Sequence, residues 1–461
     1  MFAADTYTAR RASLAASMKT GLLVFLGNDE SPMNYTDNTF AYRQDSTFLY
    51  YFGISHAGLA ATIDANTGEA TIFGNDLTID DIVWTGPQPT IAELGARVGV
   101  TATGSAAGLT DIVRAAQAKG RPVHVLPPYR GEHRLKLAEL LNVAPSALPG
   151  AVSLDFVRAV IAMRTHKTPE EVAEIERAVN TSVDMHVTAM AMARPGMRES
   201  DIAAKVTEIA LAAGGNLAFP VIATIHGETL HNHHHGNTLK SGDLFLLDTG
   251  AETAMGYAGD LTSTFPVDKT FTSRQKDVYQ IVLDAHLAAV AAVKPGKPFK
   301  EIHLLACRTL AEGLKGLGLM KGDLDAAVHE GAHAMFFQCG LGHMMGMDVH
   351  DMENLGEVYV GYDGVAKSTQ FGLKSLRLAR PLEPGFVMTV EPGLYFIPEL
   401  MRRWKAEGKF MDFLNYDKIE TFADFGGVRV EEDLLVTNDG YRILGKSRPR
   451  TIAEVEAVRR G

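Results

Sequence analysis

The chain has 461 residues, more than one ordinary hydrophobic core supports, so its length favours two domains. Its formal net charge of −11, with lysine and arginine spread along the chain, argues against a nucleic-acid-binding surface. Two cysteines are too few for a disulfide-stapled secreted scaffold, and the sequence shows neither a secretory leader nor an apolar run of about 18 residues. We therefore expect a cytoplasmic protein without a membrane-spanning segment or a nucleic-acid partner.

The first 155 residues alternate apolar, strand-like runs with alanine-rich helical runs, which is typical of an α/β domain. The pattern predicts helices over 7–18 and 109–119. It predicts strands over 22–26, 47–52, 70–73 and 123–126.

A helix-start signature marks the beginning of the second predicted domain, residues 156–461. Thr168 is placed as the N-cap, Pro169 is in the first helical position, and Glu171 can close a capping box. Beyond it we predict helices to about residue 213 and a strand within 219–225. Further helices follow over 274–317 and 324–336, and strands dominate 386–437. The whole chain is therefore expected to be an α+β protein.

Two aspartates lie at the ends of apolar, strand-like runs in the middle of the chain. The run 244–247 stops at Asp248, and Asp260 begins a second run over 261–265, with glycines between them. If the two strands pair as a hairpin, both carboxylates meet at one point. Burial and mutual repulsion raise the pKa of both acids, so shared cations are the arrangement that best stabilises them.

Three further stretches carry ligand-type residues in similarly apolar settings. Glycines flank His343 in CGLGHMMGMDVHD, and His350 follows in the same stretch. Glu391 stops the strand of FVMTVEPGLYF before a Pro-Gly pair. In GGVRVEEDLLV, alternation along one strand places Arg429 and Glu431 on the same face.

Four carboxylates and one imidazole recur at these points, namely Asp248, Asp260, His343, Glu391 and Glu431. Taken singly, an acid at a strand end is more often a cap or a turn residue, but the joint occurrence favours a metal site. This oxygen-rich set suits two hard or borderline divalent ions, whose charge balances that of the four carboxylates. Paired ions about 3.5 to 4 Å apart activate water in hydrolases, so the implied reaction class is hydrolysis.

Together, the motifs GYAGDLTSTFPV, GLGHMMGMDVHD, VEPGLYF and GGVRVEEDLLVT resemble those of the pita-bread metallopeptidases, the family of methionine aminopeptidase, aminopeptidase P and prolidase. The stretch YRQDSTFLYYFG, ending at Gly53, is similar to the N-terminal domain of the proline-specific members. The resemblance implies a pita-bread catalytic domain and a homodimer. It also implies hydrolysis of an Xaa-Pro bond by a hydroxide that bridges two metal ions. The implied metal is manganese, with cobalt or zinc as alternatives.

The resemblance implies roles for individual residues of this chain. The five residues of the set above match the family's metal ligands, with Asp260 and Glu431 as the bridging pair. Glu391 would also pass a proton toward the imino nitrogen of proline.

Further positions match residues on the substrate side of the family's site. His231 is implied to contact substrate and His350 to stabilise the tetrahedral intermediate. Arg429 is implied to hold the Glu431 carboxylate, and Tyr395 offers a hydroxyl. The structural alternatives are a solvated loop histidine for His231, a solvent-facing strand residue for Arg429 and an aromatic cover for Tyr395.

One position departs from the family pattern. The proline-specific members usually carry HGLGH, and Cys339 replaces the first histidine here. That position is not a metal ligand, so we expect the ligand set to survive, with a weaker contribution to substrate placement or proton transfer.

Arg377 bears on substrate length. The surrounding sequence FGLKSLRLARPLEPGFVMTVEPGLYF resembles that of prolidases, in which the matching arginine pairs with the free carboxylate of a dipeptide. We therefore expect a dipeptidase. The alternatives are an ordinary surface arginine in an aminopeptidase P that acts on longer peptides, and a non-catalytic binding protein of the same fold.

Overall fold

The structure is a computed structural model that describes all 461 residues. The chain divides into two compact units: Met1–Arg164 with Met352–Gly356, and Thr165–Asp351 with Glu357–Gly461. The sequence places the domain boundary after residue 155, whereas this division falls near the far end of the helix Leu154–Thr165.

The first unit contains a five-stranded sheet of order β4-β3-β2-β1-β5. Its strands are β1 Leu22–Leu26, β2 Ala60–Asp64, β3 Ala70–Phe73, β4 Ala102–Gly104 and β5 Val123–His124. Its helices are α1 Ala4–Met18, α2 Ser46–Phe52, α3 Ile79–Thr85, α4 Ile91–Arg97, α5 Gly108–Ala118, α6 Gly131–Leu141, α7 Leu148–Ala151 and α8 Leu154–Thr165, with a 3₁₀ turn at Pro145–Ala147. The α/β alternation predicted from the sequence is confirmed.

The strand predicted over 47–52 is wrong, because this segment forms the helix α2. The Asp45 carboxylate accepts a hydrogen bond from the Phe48 amide at 2.8 Å, and Gly53 ends the helix in the left-handed region. All seven residues of α2 are buried, so the segment shows no polar face that would reveal helical periodicity.

The second unit begins with the helix start that the sequence predicts. The hydroxyl of Thr168 accepts from the Glu171 amide, and the Glu171 carboxylate accepts from the Thr168 amide in return. The helices of this unit are α9 Pro169–Met192, α10 Glu199–Ala212, α11 Ser273–Ala291, α12 Phe299–Gly316, α13 Leu324–Glu330, α14 Glu357–Val360, α15 Pro398–Ala406, α16 Tyr416–Glu420 and α17 Ile452–Arg460. The helix predicted over 324–336 stops at Glu330, because Gly331 adopts a φ of 93° before the 3₁₀ turn Ala332–Met335.

The strands of the second unit form small sheets of order β10-β8-β7, β11-β14-β15, β12-β13 and β6-β9. Their bounds are β6 Asn216–Leu217, β7 Ile222–Thr224, β8 Leu244–Thr249, β9 Ala251–Glu252, β10 Leu261–Pro266, β11 Val387–Val390, β12 Gly393–Tyr395, β13 Gly427–Arg429, β14 Glu432–Val436 and β15 Tyr441–Ile443. The strands predicted over 386–437 are present, but they do not dominate the segment, because helices α15 and α16 lie between β12 and β13. Mixed helices and sheets in both units give the α+β class.

Each unit has its own hydrophobic core. In the second unit, β8 and β10 are buried along their whole length, and the rings of Phe245 and Phe265 stack at 5.5 Å between centroids. No single helix has the length and apolarity needed to cross a membrane. One bent pair, Pro145–Ala151 with Leu154–Thr165, meets that test by length and composition only.

Candidate active site

Strands β8 and β10 bring Asp248 and Asp260 together, as the hairpin prediction requires. The two strands pair antiparallel, with Thr262 opposite Asp248, and Asp260 lies immediately before β10. The two ends of the segment between β8 and β10 lie very close together: a Cβ added to Gly250 would lie 1.7 Å from the carbonyl oxygen of Gly259. Only glycine allows this approach, which fixes the ends of the two strands.

A second pair of segments positions His343 and Glu391. The segment 341–345 runs beside β11: the Thr389 amide donates to the His343 carbonyl at 3.0 Å, and the Glu391 amide donates to the Leu341 carbonyl at 2.7 Å. A Cβ added to Gly342 would lie 2.1 Å from the Thr389 carbonyl oxygen, so the contact requires glycine here. As a result, Nε2 of His343 lies 3.5 Å from Oε1 of Glu391.

The single strand predicted across the GGVRVEEDLLV stretch is corrected by the structure. Strand β13 ends at Arg429 and β14 begins at Glu432, and the two strands pair with different partners, β12 and β11. Glu431 lies in the break, where its amide donates to the Thr262 carbonyl at 3.3 Å. The Thr262 hydroxyl in turn donates to Oε2 of Glu431 at 2.6 Å. The break therefore turns Glu431 toward β10.

The donor atoms of Asp260, His343 and Glu431 converge so that all three lie within 4.8 Å of one another. Nε2 of His343 lies 3.4 Å from Oδ2 of Asp260. The Nδ1–H group of the same ring donates to the Met344 carbonyl at 3.0 Å, which leaves Nε2 as the unprotonated nitrogen facing the carboxylates. Buried oxygen donors beside one oriented imidazole fit divalent metal ions.

Crowding and burial change the acidity of three carboxyl groups of the site, and for Asp260 the direction is the one expected from the sequence. Burial, reinforced by the charge of Asp248, raises the pKa of Asp260 to about 8. Burial also raises the pKa of Glu391 to about 7, although the charges of His343 and Arg429 lower it. The pKa of Glu431 is raised well above its usual value by burial and then by Asp260 and Glu391. Divalent cations would stabilise the ionised forms of all three.

Asp248 lies at the Arg429 end of the site and is outside the three-residue convergence. Its carboxylate forms a buried ion pair with the Arg429 guanidinium. The same guanidinium donates from Nη1 to the Tyr395 hydroxyl at 2.7 Å and from Nε to the Thr262 hydroxyl at 3.0 Å. Arg429 therefore packs against Asp248 rather than against Glu431, and its expected contact with Glu431 runs through Thr262.

One cavity of about 870 Å³, counting its open mouth, unites the site. All residues proposed from the sequence line it except Tyr395, which is fully buried behind Arg429: Asp248, Asp260, His343, Glu391, Glu431, His231, His350, Arg377 and Arg429. The structure thus brings the predicted residues together, while their roles as ligands and in catalysis stay predictions.

The two histidines on the substrate side occupy different depths of this cavity. His231 is exposed, and desolvation by its surroundings still lowers its pKa, with Asp248 opposing the shift and Arg429 adding to it. The ring of His350 meets that of His343 edge-on at 4.2 Å between centroids.

Cys339 and Arg377 contribute a neutral and a charged group to the cavity wall. Burial, followed by the charge of Glu391, raises the pKa of the Cys339 thiol to about 12, so the thiol stays protonated at neutral pH. Its sulfur lies 3.9 Å from the Tyr395 hydroxyl oxygen. Nε of Arg377 lies 3.4 Å from Oε1 of Glu357, which holds the half-buried guanidinium at the cavity.

Two contributors to the site were missed by the sequence analysis. Thr262 follows Asp260 at strand periodicity, so its position on the same face could have been recognised. The role of Glu357 could not have been recognised from the sequence, because helix α14 reaches Arg377 only through tertiary packing.

The fold and the cavity define a hydrolase of the metal-dependent class, with a carboxylate-rich site in the second of two units. The model of metallopeptidase family M24 matches residues 173–438, and that of the aminopeptidase P N-terminal domain matches residues 7–124. The chain belongs to metallopeptidase family M24, and the fold is therefore the predicted pita-bread type. Membership implies divalent metal ions at the site.

Several relatives match almost the full chain. The human Xaa-Pro dipeptidase is 31% identical over 459 residues, which cover 95% of this chain and 89% of that protein. The Xaa-Pro aminopeptidase of Escherichia coli (strain K12) is 29% identical over 469 residues, covering 97% and 96%. Among solved structures, zinc-substituted E. coli aminopeptidase P in complex with product is similar with a TM-score of 0.82 at 27% identity, covering 99% of this chain and 98% of that chain.

Proposed function

We propose that this protein hydrolyses the peptide bond between an N-terminal residue and proline, and that Xaa-Pro dipeptides are its preferred substrates. The observation that carries the proposal is the position of Arg377 in the wall of the same cavity as the candidate metal ligands. The names of the relatives support an Xaa-Pro bond as the target, but they include both dipeptidases and aminopeptidases.

The cavity offers a place for each charged part of such a substrate. Asp248, Asp260, His343, Glu391 and Glu431 would hold two divalent ions, which supply polarisation of the scissile carbonyl and activation of water when bound. Arg377 would receive the C-terminal carboxylate of a dipeptide, because a guanidinium pairs with a carboxylate through two parallel hydrogen bonds.

Other residues of the chain would orient and protonate the substrate. Oε1 of Glu391 lies beside His343, and this carboxyl would carry a proton to the proline nitrogen as it leaves. The lowered pKa of His231 keeps its imidazole neutral at neutral pH, so the ring can exchange hydrogen bonds with substrate at the cavity mouth. Contact with the His343 ring restrains His350 for hydrogen bonding to the developing oxyanion.

The remaining parts of the proposal rest on the family resemblance. We propose that the two ions are manganese, that the enzyme is a homodimer, and that it works in the cytoplasm.

The test compares an Xaa-Pro dipeptide with an Xaa-Pro tripeptide that shares its first residue. Arg377→Ala should lower kcat/KM for the dipeptide by a factor that corresponds to about 2 to 3 kcal/mol of transition-state stabilisation, the scale of a partly desolvated charge-assisted pair. Hydrolysis of the tripeptide should change little. Arg377→Lys should restore only part of the loss, because a point charge cannot reproduce the planar fork.

Arg380→Ala is the matched control. This variant also removes one guanidinium, but Arg380 does not line the cavity, and its Nη2 lies 2.8 Å from Oε1 of Glu383. Equal losses on both substrates in Arg377→Ala would assign that residue a structural role. A wild-type enzyme that prefers the tripeptide would favour the second candidate, an aminopeptidase P, which is the name carried by the similar solved structures.

A further inference from the structure

A second group of ligand-type side chains lies in the helical part of the second unit and is separate from the carboxylate site. His303 and Cys307 are four residues apart on α12, so they share one face of that helix. His333 belongs to the 3₁₀ turn Ala332–Met335. All three side chains are buried, with residue exposures of 1% for His303, 0% for Cys307 and 3% for His333.

The three side chains point at one another. One donor atom from each, two imidazole nitrogens and one sulfur, lies within 4.8 Å of the other two. Nε2 of His303 lies 3.5 Å from Sγ of Cys307. In a tetrahedral zinc site, bonds of about 2.0 to 2.1 Å to nitrogen and about 2.3 Å to sulfur place these two ligand atoms roughly 3.5 Å apart. The pair therefore already has the spacing of two zinc ligands.

Hydrogen bonding inside the group leaves most of its polar atoms unsatisfied. A hydrogen bond from the Cys307 thiol to Nε2 of His303 explains the 3.5 Å contact and satisfies that one nitrogen. Nδ1 of His303 and both ring nitrogens of His333 lack a hydrogen-bond partner. The carbonyl groups of Ala327 and Val328 act to raise the pKa of His333 against the larger effect of burial, but neither accepts a hydrogen bond from its ring. Three unpaired nitrogens in a buried site carry a cost that a bound ion would offset.

The protonation states suit a metal ion. Burial lowers the pKa of His303 to about 3 and that of His333 to about 4, so both rings are neutral, as ligands must be. Burial raises the pKa of the Cys307 thiol, and a cation beside the sulfur reverses that effect.

We propose that His303, Cys307 and His333 form a zinc-binding site that is distinct from the carboxylate site. Thiolate and imidazole donors favour zinc over the harder ions that suit carboxylates, so the two sites would sort ions by ligand type. Binding forms bonds from zinc to one sulfur and two nitrogens and releases the Cys307 thiol proton to solvent. The ion would join α12 to the turn that precedes Cys339 and His343 in the chain. This proposal is independent of the Xaa-Pro activity.

Cobalt absorption provides the test, because thiolate-to-cobalt charge transfer in the near ultraviolet requires sulfur as a ligand. The carboxylate site contains no sulfur among its candidate ligands. Metal-free full-length protein titrated with Co²⁺ should develop this absorption, and its final intensity should correspond to one thiolate-bound ion per chain. Cys307→Ser should abolish the absorption. His333→Gln should raise the free Co²⁺ concentration at half-maximal absorption by at least about tenfold.

Cys339→Ser is the matched control, since it removes the chain's other thiol, which lines the active-site cavity. The absorption should persist in this variant and also in Asp260→Asn. Zinc-edge X-ray absorption on Cys339→Ser covers the case in which Cys307→Ser does not fold, and should show a sulfur neighbour at about 2.3 Å. The proposal is overturned if wild-type protein gives no thiolate absorption at saturating Co²⁺, if the absorption survives Cys307→Ser, or if the zinc edge shows only nitrogen and oxygen neighbours.

Discussion

Asp260 is only 5% exposed, and its surroundings determine how the metal-free protein responds to pH. Its pKa of about 8 in the folded state compares with an unfolded value of about 4. Between these values the folded state binds a proton that the unfolded state lacks. The free energy of unfolding therefore falls as pH rises across this interval. Glu391, with a pKa of about 7, acts in the same direction.

We predict that manganese stabilises the protein more at pH 8 than at pH 6. The ions bind the ionised carboxylates of the native state, so their effect grows as protons cease to compete. Denaturant titrations of metal-free and manganese-loaded protein at both pH values measure the difference. A manganese effect no larger at pH 8 than at pH 6 would contradict the proton-competed site.

At the scale of elements, the loop 343–351 is closed by a buried ion pair. Nζ of Lys167, from the connection between α8 and α9, lies 2.8 Å from Oδ2 of Asp351, and both side chains are almost fully buried. The Asp351 amide donates to the Met344 carbonyl at 2.9 Å, which joins the two ends of the loop. This loop carries His343 and His350, so the ion pair supports the geometry of the site.

We predict that Lys167→Met destabilises the protein by about 3 to 5 kcal/mol, because the Asp351 carboxylate stays buried after its cation is removed. Equilibrium unfolding measures the loss. The control is Lys446→Met, which removes a lysine paired with Asp184 at the surface and should cost at most about 1 kcal/mol. Adding Asp351→Leu to Lys167→Met should recover much of the loss, and a double variant as unstable as the single one would refute this explanation.

At the scale of the whole molecule, the candidate metal ligands all lie in the second unit. The first unit has its own sheet and core. Ions that bind the native second unit lower the population of its open forms by mass action.

We predict that a chelator accelerates amide hydrogen exchange in β8, β10 and β11 and leaves β1 and β2 unchanged. Exchange followed by mass spectrometry of peptides from both units gives the comparison. The same chelator already saturated with manganese is the control. An equal loss of protection in β1 and β2 would show that the units do not respond separately.

The sequence by itself determined the features that depend on short-range physics. An acid at the end of an apolar run located Asp248 and, in a second run, Glu391. The capping box of Thr168 and Glu171 located the start of α9. Short-range patterns failed at 47–52, where complete burial hides the difference between a strand and a helix.

Only the tertiary structure decided the contacts that no short-range pattern indicates. The break before Glu431, the pairing of Arg377 with Glu357, and the approach of His333 to α12 all join segments that are distant or irregular in the chain. Periodicity specifies the face of an element on which a residue lies. It carries no information about which other element packs against that face, because the packing depends on the shape and burial of the whole core.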